Sequence, residues 1–220
     1  EEGQASAAET AIDEALGGSL SAASARLLFT GKARQSVELD TLGRIEAAKV
    51  MLVGLGRESE LTISTLRDFA ALGISEALAG RFGTVGIVAP RDQASDAIHL
   101  ASGARLGAYR FNDLQAEPED APRPRVEIAS ILGGSGTDDD LTLGADIATG
   151  VNLARTLTNE PANICTPERF EALAREIATA PGFELTVLNR EEIIARGMGG
   201  IQGVSRGAER EPRFIHLAYT

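Results

Sequence analysis

Two glycine-rich turns come closest, in residue type and spacing, to a motif that binds a ligand. The first, Gly54 to Ser59 (G-L-G-R-E-S), follows an apolar run and precedes a helical pattern. A G-x-G-x-x-G loop in that position holds a pyrophosphate on helix N–H groups. Here Ser59 stands in place of the third glycine, and Glu58 would put a carboxylate beside the phosphates. We therefore interpret the segment as a tight strand-to-helix turn.

The second turn is Gly133 to Gly136 (G-G-S-G), and three acids, Asp138 to Asp140, follow it closely. The turn lacks the Gly-Lys-Ser/Thr ending of a phosphate-binding loop. The acids could suggest a metal cluster, but consecutive residues point around a helix instead of converging on one ion. Negative charge is favoured at a helix N-terminus. We expect these aspartates to open a helix.

The remaining residues with catalytic potential form no familiar set. His99 lies off the apolar stripe of its predicted helix, so we expect a solvated side chain, whereas His216 lies inside a strand pattern and is expected to be buried. Cys165 has no His or Cys nearby. Neither an H-E-x-x-H zinc motif nor a G-x-S-x-G nucleophile motif occurs. The residues alone predict no metal site and no catalytic set.

The elements that would position these residues alternate between strands and helices, which predicts an α/β fold with a largely parallel sheet. The helix opened by Asp138 should end near Asn159, because Pro161 cannot continue it. It carries Ile147, Val151, Ala154 and Leu157 at helical spacing. Strands are predicted over 49–55, 84–89, 126–132, 183–188 and 213–219, and helices over 66–78, 94–108, 138–159, 166–178 and a short stretch after Asn189.

Charge and composition exclude several classes of protein. With 21 Lys and Arg against 32 Asp and Glu, the net charge is −11, so nucleic acid and anionic membranes are not expected partners. No apolar run approaches the ~18 residues of a membrane span. The single cysteine fits a reducing compartment, and we expect a cytoplasmic protein. Because Glu1 to Gln4 show neither an initiator Met nor a basic leader, we expect a chain trimmed at its start.

One segment closely resembles a known family. Ala154 to Pro167 (A-R-T-L-T-N-E-P-A-N-I-C-T-P) is similar to the beginning of the catalytic domain of cytosolic leucyl aminopeptidases, with A-R-x-L, then N-x-P-x-N, then T-P opening a helix. Met198, Gly199 and Gly200 resemble that family's M-G-G loop. Upstream, 29–32, 53–56 and 107–111 resemble its N-terminal domain, in the right order.

The resemblance implies an activity and an assembly. Family members remove an N-terminal residue, often leucine, from peptides with two divalent ions, zinc or manganese, and assemble as hexamers. Their ligands (a lysine, aspartates and a glutamate) correspond to positions beyond Thr220, so no catalytic, metal or cofactor residue is assigned, and we expect the 220-residue chain alone to be inactive. Asn159, Pro161, Asn163, Pro167, Met198, Gly199 and Gly200 are assigned a structural role.

The same resemblance implies a layout. A macro-domain-like mixed or parallel sheet with flanking helices would occupy 1–137, a connecting helix and loop 138–165, and the beginning of the metallopeptidase domain 166–220. Two other functions stay open: a stand-alone nucleotide- or ADP-ribose-binding module, because the family's N-terminal domain is similar to macro domains, and a non-catalytic domain that joins oligomers.

Overall fold

The computed structural model describes residues 6–220, and the expectation for Glu1 to Gln4 lies outside this range. The chain divides into two compact units, of which the first ends at Leu153 and the second is Ala154–Thr220. The division falls inside a long helix. The domain limits expected at 137/138 and 165/166 stay predictions.

The first unit begins with two short helices and an antiparallel strand pair. Helices α1 (Ala7–Ala15) and α2 (Ser19–Arg26) precede strands β1 (Ser36–Asp40) and β2 (Lys49–Val53). The Asp13 carboxylate accepts hydrogen bonds from the backbone N–H groups of Leu20 and Ser21, so it caps the start of α2. A short 3₁₀ turn, Glu58–Glu60, follows β2.

A parallel strand pair and two helices form the core of this unit. Helix α3 (Ile63–Ala79) leads to β3 (Thr84–Val88), and helix α4 (Ala94–Gly107) leads to β4 (Ile128–Leu132), which pairs with β3 in parallel. This connection from strand through helix to neighbouring strand is a βαβ unit. Its core consists of Leu66, Ala70, Ile74, Leu78, Ile87, Leu100 and Ala104.

Glycines allow α3 and α4 to touch along their backbones. A Cβ atom added at Gly103 would lie 2.7 Å from the Cα of Arg67, and one at Gly107 would lie 2.6 Å from the Cα of Ala71. Both distances are shorter than real carbon contacts allow. The contacts advance in the same direction on both helices, so α3 and α4 run parallel with no side chain between them at these two points.

The second unit contains the end of α5 (Asp138–Asn159) followed by an α/β arrangement. Strands β5 and β6 pair in an antiparallel register, from Phe183 opposite Tyr219 to Leu188 opposite Phe214. Helix α6 packs against both strands, and the short helix α7 packs on β5 and α8. These elements are α6 (Pro167–Ile177), β5 (Phe183–Leu188), α7 (Arg190–Ala195), α8 (Gly199–Ser205) and β6 (Phe214–Tyr219).

The α/β class is confirmed, but the expectation of a largely parallel sheet is wrong. Of the strand pairs in residues 6–220, only β3 with β4 is parallel, since β1–β2 and β5–β6 are antiparallel. In α5, Ile147 and Val151 are 39% and 40% exposed. Gly144 and Ala148, on the neighbouring side of the helix, are buried, because Gly144 lets α5 approach the backbone of Ile98 in α4.

Candidate functional site

The turn from α5 into α6 carries the segment that resembled a peptidase domain. The carbonyl oxygen of Pro161 accepts hydrogen bonds from the N–H groups of Ile164 at 2.8 Å and Cys165 at 2.9 Å, which closes a tight turn after the helix end. Thr166 then caps α6, since its hydroxyl accepts from the N–H of Arg169 at 3.3 Å. Pro167 occupies the first helical position, where its missing N–H costs nothing.

A buried ion pair joins the two sides of this turn. Arg169 Nη2 donates to Glu160 Oε1 at 3.3 Å, and the Glu160 side chain is only 9% exposed. Its second oxygen, Oε2, is buried and has no hydrogen-bond partner within the described range. Asn159 and Asn163, by contrast, are exposed. The sequence motif therefore positions the backbone mainly through Pro161, Thr166 and Pro167.

The Met198–Gly199–Gly200 motif begins a helix, so its description as a loop needs correction. Met198 is the residue before α8, and the Gly199 N–H donates to the Gly197 carbonyl at 2.8 Å. An open groove of about 720 Å³ lies beside α8. Val204 in this groove is 90% exposed. Its wall is formed by Pro167, Gly200, Ile201, Val204, Arg210 and Pro212, among others.

A charged network fixes β6 to α6 beside this groove. Glu171 accepts hydrogen bonds from Arg175 and from Arg213, both at 2.7 Å. These two donors hold the pKa of Glu171 below its ordinary value. Arg213 also donates to Glu211 at 3.0 Å, and the two carboxylates raise the pKa of its guanidinium. The network is structural, because every charge in it is already paired.

The glycine turns of the first unit are packed against protein. A Cβ atom at Gly54 would collide with the Lys32 carbonyl oxygen, and one at Gly136 would collide with the Ala97 side chain. The space beside Gly133 to Gly136 holds about 40 Å³. The adjacent Asp96 is buried, and its carboxylate already accepts two hydrogen bonds from Arg91. Arg91 Nε donates to Asp96 Oδ2 at 2.6 Å, and Arg91 Nη2 donates to Asp96 Oδ1 at 3.0 Å. A nucleotide needs a cavity several times larger.

One of the three acids at the start of α5, Asp140, takes part in the cap of that helix. Asp140 Oδ2 accepts from the N–H of Thr137 at 2.9 Å and from its hydroxyl at 2.8 Å, and these bonds lower the pKa of Asp140. Throughout residues 6–220, no group of three or more His, Cys, Asp or Glu side chains is placed to hold a metal ion. The described residues therefore do not fit a pair of bound metals.

Both histidines differ from expectation. His99, expected in solvent, is half-buried with Nδ1 inaccessible and lacking a hydrogen-bond partner in the described part of the chain. Burial, and secondarily the charge of Arg67, lowers its pKa. His216, expected to be buried, is exposed. Within residues 6–220, neither belongs to a group of three or more His, Cys, Asp or Glu side chains that could hold a metal ion.

These features define a class: an α/β chain whose second unit opens with a capped turn and whose described residues place no group of three or more His, Cys, Asp or Glu side chains to hold a metal ion. No helix among those residues is long and apolar enough to cross a membrane. The comparison with known proteins then specifies the family.

Residues 1–118 match the N-terminal domain of the cytosol aminopeptidase family, and residues 152–220 match its catalytic domain. The chain belongs to the cytosol aminopeptidase family. A probable cytosol aminopeptidase of Nostoc punctiforme is 34% identical over 211 residues, covering 94% of this chain and 43% of its own. One of Roseiflexus castenholzii is 33% identical over 199 residues, covering 87% and 41%.

Solved structures agree with this assignment. A mutant of tomato leucine aminopeptidase superimposes with a TM-score of 0.84 at 28% identity, covering 97% of this chain and 43% of its own. The bottromycin maturation enzyme BotP in complex with Mn gives 0.76 at 27% identity, covering 90% and 42%. The chain thus spans less than half the length of the relatives it matches.

Proposed function

We propose that this chain supplies the N-terminal domain and the beginning of the catalytic domain of a metal-dependent aminopeptidase. The whole protein would release N-terminal residues, preferentially leucine, from peptides. The observation that carries the proposal is the ordered match of both family domains, with the capped turn at Thr166 where the catalytic domain begins. The likeness to a leucine aminopeptidase supports the substrate class.

The metal requirement is also a proposal. Two divalent ions, manganese or zinc, would polarise the scissile carbonyl and lower the pKa of a bound water. Support comes from the manganese in the structure of the related BotP. Because the described residues do not fit a metal pair, we assign no ligand to this chain, and we expect the ligands in the portion that the longer relatives possess beyond the matched region.

The chain's own residues would act as a scaffold. Pro161 closes the turn after α5, and Thr166 with Pro167 starts α6 at a fixed position. Helix α6 packs on β5 and β6, so this start sets the place of both strands in the unit. We assign the same structural role to Asn159, Asn163, Met198, Gly199 and Gly200.

The proposal extends to assembly and location. We propose a homo-hexamer in the whole protein, a cytoplasmic location, and peptides as the binding partners. The net charge of −11 argues against nucleic acid and anionic membranes as partners.

A chimera tests the proposal. This chain would be joined to the remainder of the Nostoc punctiforme relative and compared with the 220-residue chain alone. The assay is release of the chromogenic amine from a leucine anilide with manganese or zinc in excess. We expect turnover by the chimera and none by the chain. Turnover by the chain alone, lost on substitution of a residue within it, would contradict the proposal.

The nucleotide-binding alternative is disfavoured by the space at the second glycine turn, about 40 Å³. Calorimetric titration of the chain with NAD, ATP and ADP-ribose at millimolar concentration should give no saturable heat. A signal abolished by Gly56→Val would favour a binding module over the peptidase scaffold.

A further inference from the structure

Three polar side chains at the contact between α3 and α4 lack hydrogen-bond partners. Within residues 6–220, nothing bonds to Arg67 Nε, His99 Nδ1 or Ser102 Oγ, although all three atoms are buried. Ser102 is 0% exposed, and Arg67 and His99 are half-buried. Buried polar atoms are hydrogen-bonded in the great majority of cases, so these three need an explanation.

The packing of the two helices brings Arg67 and His99 together. A Cβ atom added at Gly103 in α4 would lie 2.7 Å from the Cα of Arg67 in α3. His99 lies one turn before Gly103, on the same face of α4, and Ser102 is its neighbour three residues later. Side chains on a helix lean toward its N-terminus, and α3 runs parallel to α4, so Arg67 extends toward the level of His99. Burial, and then the nearby charge of Arg67, lowers the pKa of His99.

The charges around His99 leave one cation unbalanced. Arg67 on α3, Asp96 on α4 and Arg91 just before α4 all act on the imidazole ring. Asp96 and Arg91 form an ion pair and offset one another. Arg67 has no ion-pair partner among the residues that the structure describes. Charges removed from water are normally paired, so this guanidinium favours a negatively charged ligand.

The accessible edges of both side chains carry hydrogen-bond donors. A proton on the buried Nδ1 of His99 would have no acceptor, so the neutral ring holds its proton on Nε2, which therefore donates. Arg67 carries two terminal nitrogens beyond the buried Nε, and a guanidinium binds oxyanions through parallel hydrogen bonds. Both residues keep an accessible part, so these donors can reach one ligand.

We propose that Arg67 and His99 form a binding site for a small oxyanion, such as inorganic phosphate. The terminal nitrogens of Arg67 donate to two of its oxygens, and His99 Nε2 donates to a third. The ligand supplies the negative charge that Arg67 lacks, and it favours the protonated form of the neighbouring imidazole. The site lies in the first unit and is independent of the metal-dependent activity proposed above.

The two histidines make the site measurable by NMR. His216 is exposed and belongs to the other unit, so it serves as an internal reference for His99, and His99→Gln assigns the signals. The Cε1–H signals would be followed against pH in chloride and in about 50 mM phosphate at one ionic strength, so that screening is equal. We expect phosphate to raise the pKa of His99 by at least about 0.5, because an anion stabilises the charged ring. The titration curve of His216 should stay where it is in chloride.

Arg67→Gln tests the role of the guanidinium. Without phosphate, this variant should raise the pKa of His99, because a neighbouring positive charge is removed. It should also remove most of the further rise in phosphate, because the anion loses its principal partner. Arg26→Gln is the matched control: Arg26 is exposed at the end of α2, and its variant should respond to phosphate as the unaltered chain does. Circular dichroism verifies that both variants fold.

Three results would overturn the proposal. The first is a His99 titration that is the same in phosphate and in chloride. The second is an equal displacement of His99 and His216, which would indicate a nonspecific effect of the salt. The third is a folded Arg67→Gln variant whose response to phosphate is as large as that of the unaltered chain. A response confined to His99 and lost in Arg67→Gln supports the site.

Discussion

Replacing Gly103 by alanine should destabilise the first unit, although alanine is the better helix former. The added Cβ would lie 2.7 Å from the Cα and 2.8 Å from the carbonyl carbon of Arg67. Carbon atoms in contact normally lie about 3.5–4.0 Å apart, so α3 and α4 must separate by about 1 Å. The obstacle is backbone, so no side-chain rotation relieves it.

The expected magnitude follows from two opposing effects. Forcing an extra methyl group into a packed interface costs about 1–3 kcal/mol. Removing a glycine from a helix interior contributes about 0.5–1 kcal/mol in the other direction. We expect a net loss of about 0–2.5 kcal/mol in the free energy of unfolding for Gly103→Ala.

Gly73→Ala is the matched control. Gly73 lies inside α3, but a Cβ there has no atom within 4 Å. The control should therefore gain about 0.5–1 kcal/mol. Urea unfolding followed by far-UV circular dichroism measures both variants. A Gly103→Ala variant as stable as Gly73→Ala would refute the backbone contact between α3 and α4.

Three further predictions concern a titration, a cap and a loop. Burial of His99 lowers its pKa, so as the pH falls the unfolded chain binds a proton at this residue before the folded chain does. The free energy of unfolding should therefore decrease as the pH drops below about 6.5. In urea unfolding, His99→Gln should reduce this dependence on pH. Thr166→Ala removes the cap of α6 and should cost about 0.5–2 kcal/mol, measured by thermal unfolding, whereas no loss would deny the cap a role. Limited proteolysis should first cut 117–125, which is largely exposed, and early cleavage within β3 would contradict the layout.

The sequence predicted the elements of this fold better than their contacts. Apart from α8, strands and helices after β2 occur within a few residues of their predicted positions, and Thr166 and Asn189 cap α6 and α7 as their spacing indicated. β1, α1, α2 and α8 were missed. β1 has only two inward side chains, Val37 and Leu39, which is too short an alternation to distinguish from a loop.

Pairing direction and burial depended on tertiary contacts. Alternation of strands and helices suggested parallel pairs, but β5 and β6 are separated by two short helices and return antiparallel. On α5, periodicity identified the stripe at Ile147 correctly as apolar. It could not reveal that Gly144, with no side chain, marks the face that approaches α4. Close approach at a glycine leaves no hydrophobic signal in the sequence.

The candidate site was predictable only through family resemblance. The turn at Pro161 and Pro167 was recognised from its motif, whereas Glu160 and Arg169 were missed because nothing in their spacing distinguishes a buried pair from a solvated one. Composition and periodicity carry no information about residues outside the chain, which is where we place the metal ligands.

Metal stoichiometry tests the central claim most directly. The 220-residue chain and the chimera with the remainder of the Nostoc punctiforme relative would each be equilibrated with manganese, freed of loosely held ions by gel filtration, and measured by inductively coupled plasma mass spectrometry. We predict about two ions per chimeric chain. For the chain alone we predict none, because its described residues place no group of three or more His, Cys, Asp or Glu side chains to hold a metal ion. Two ions retained by the chain alone would contradict the assignment of this chain as scaffold.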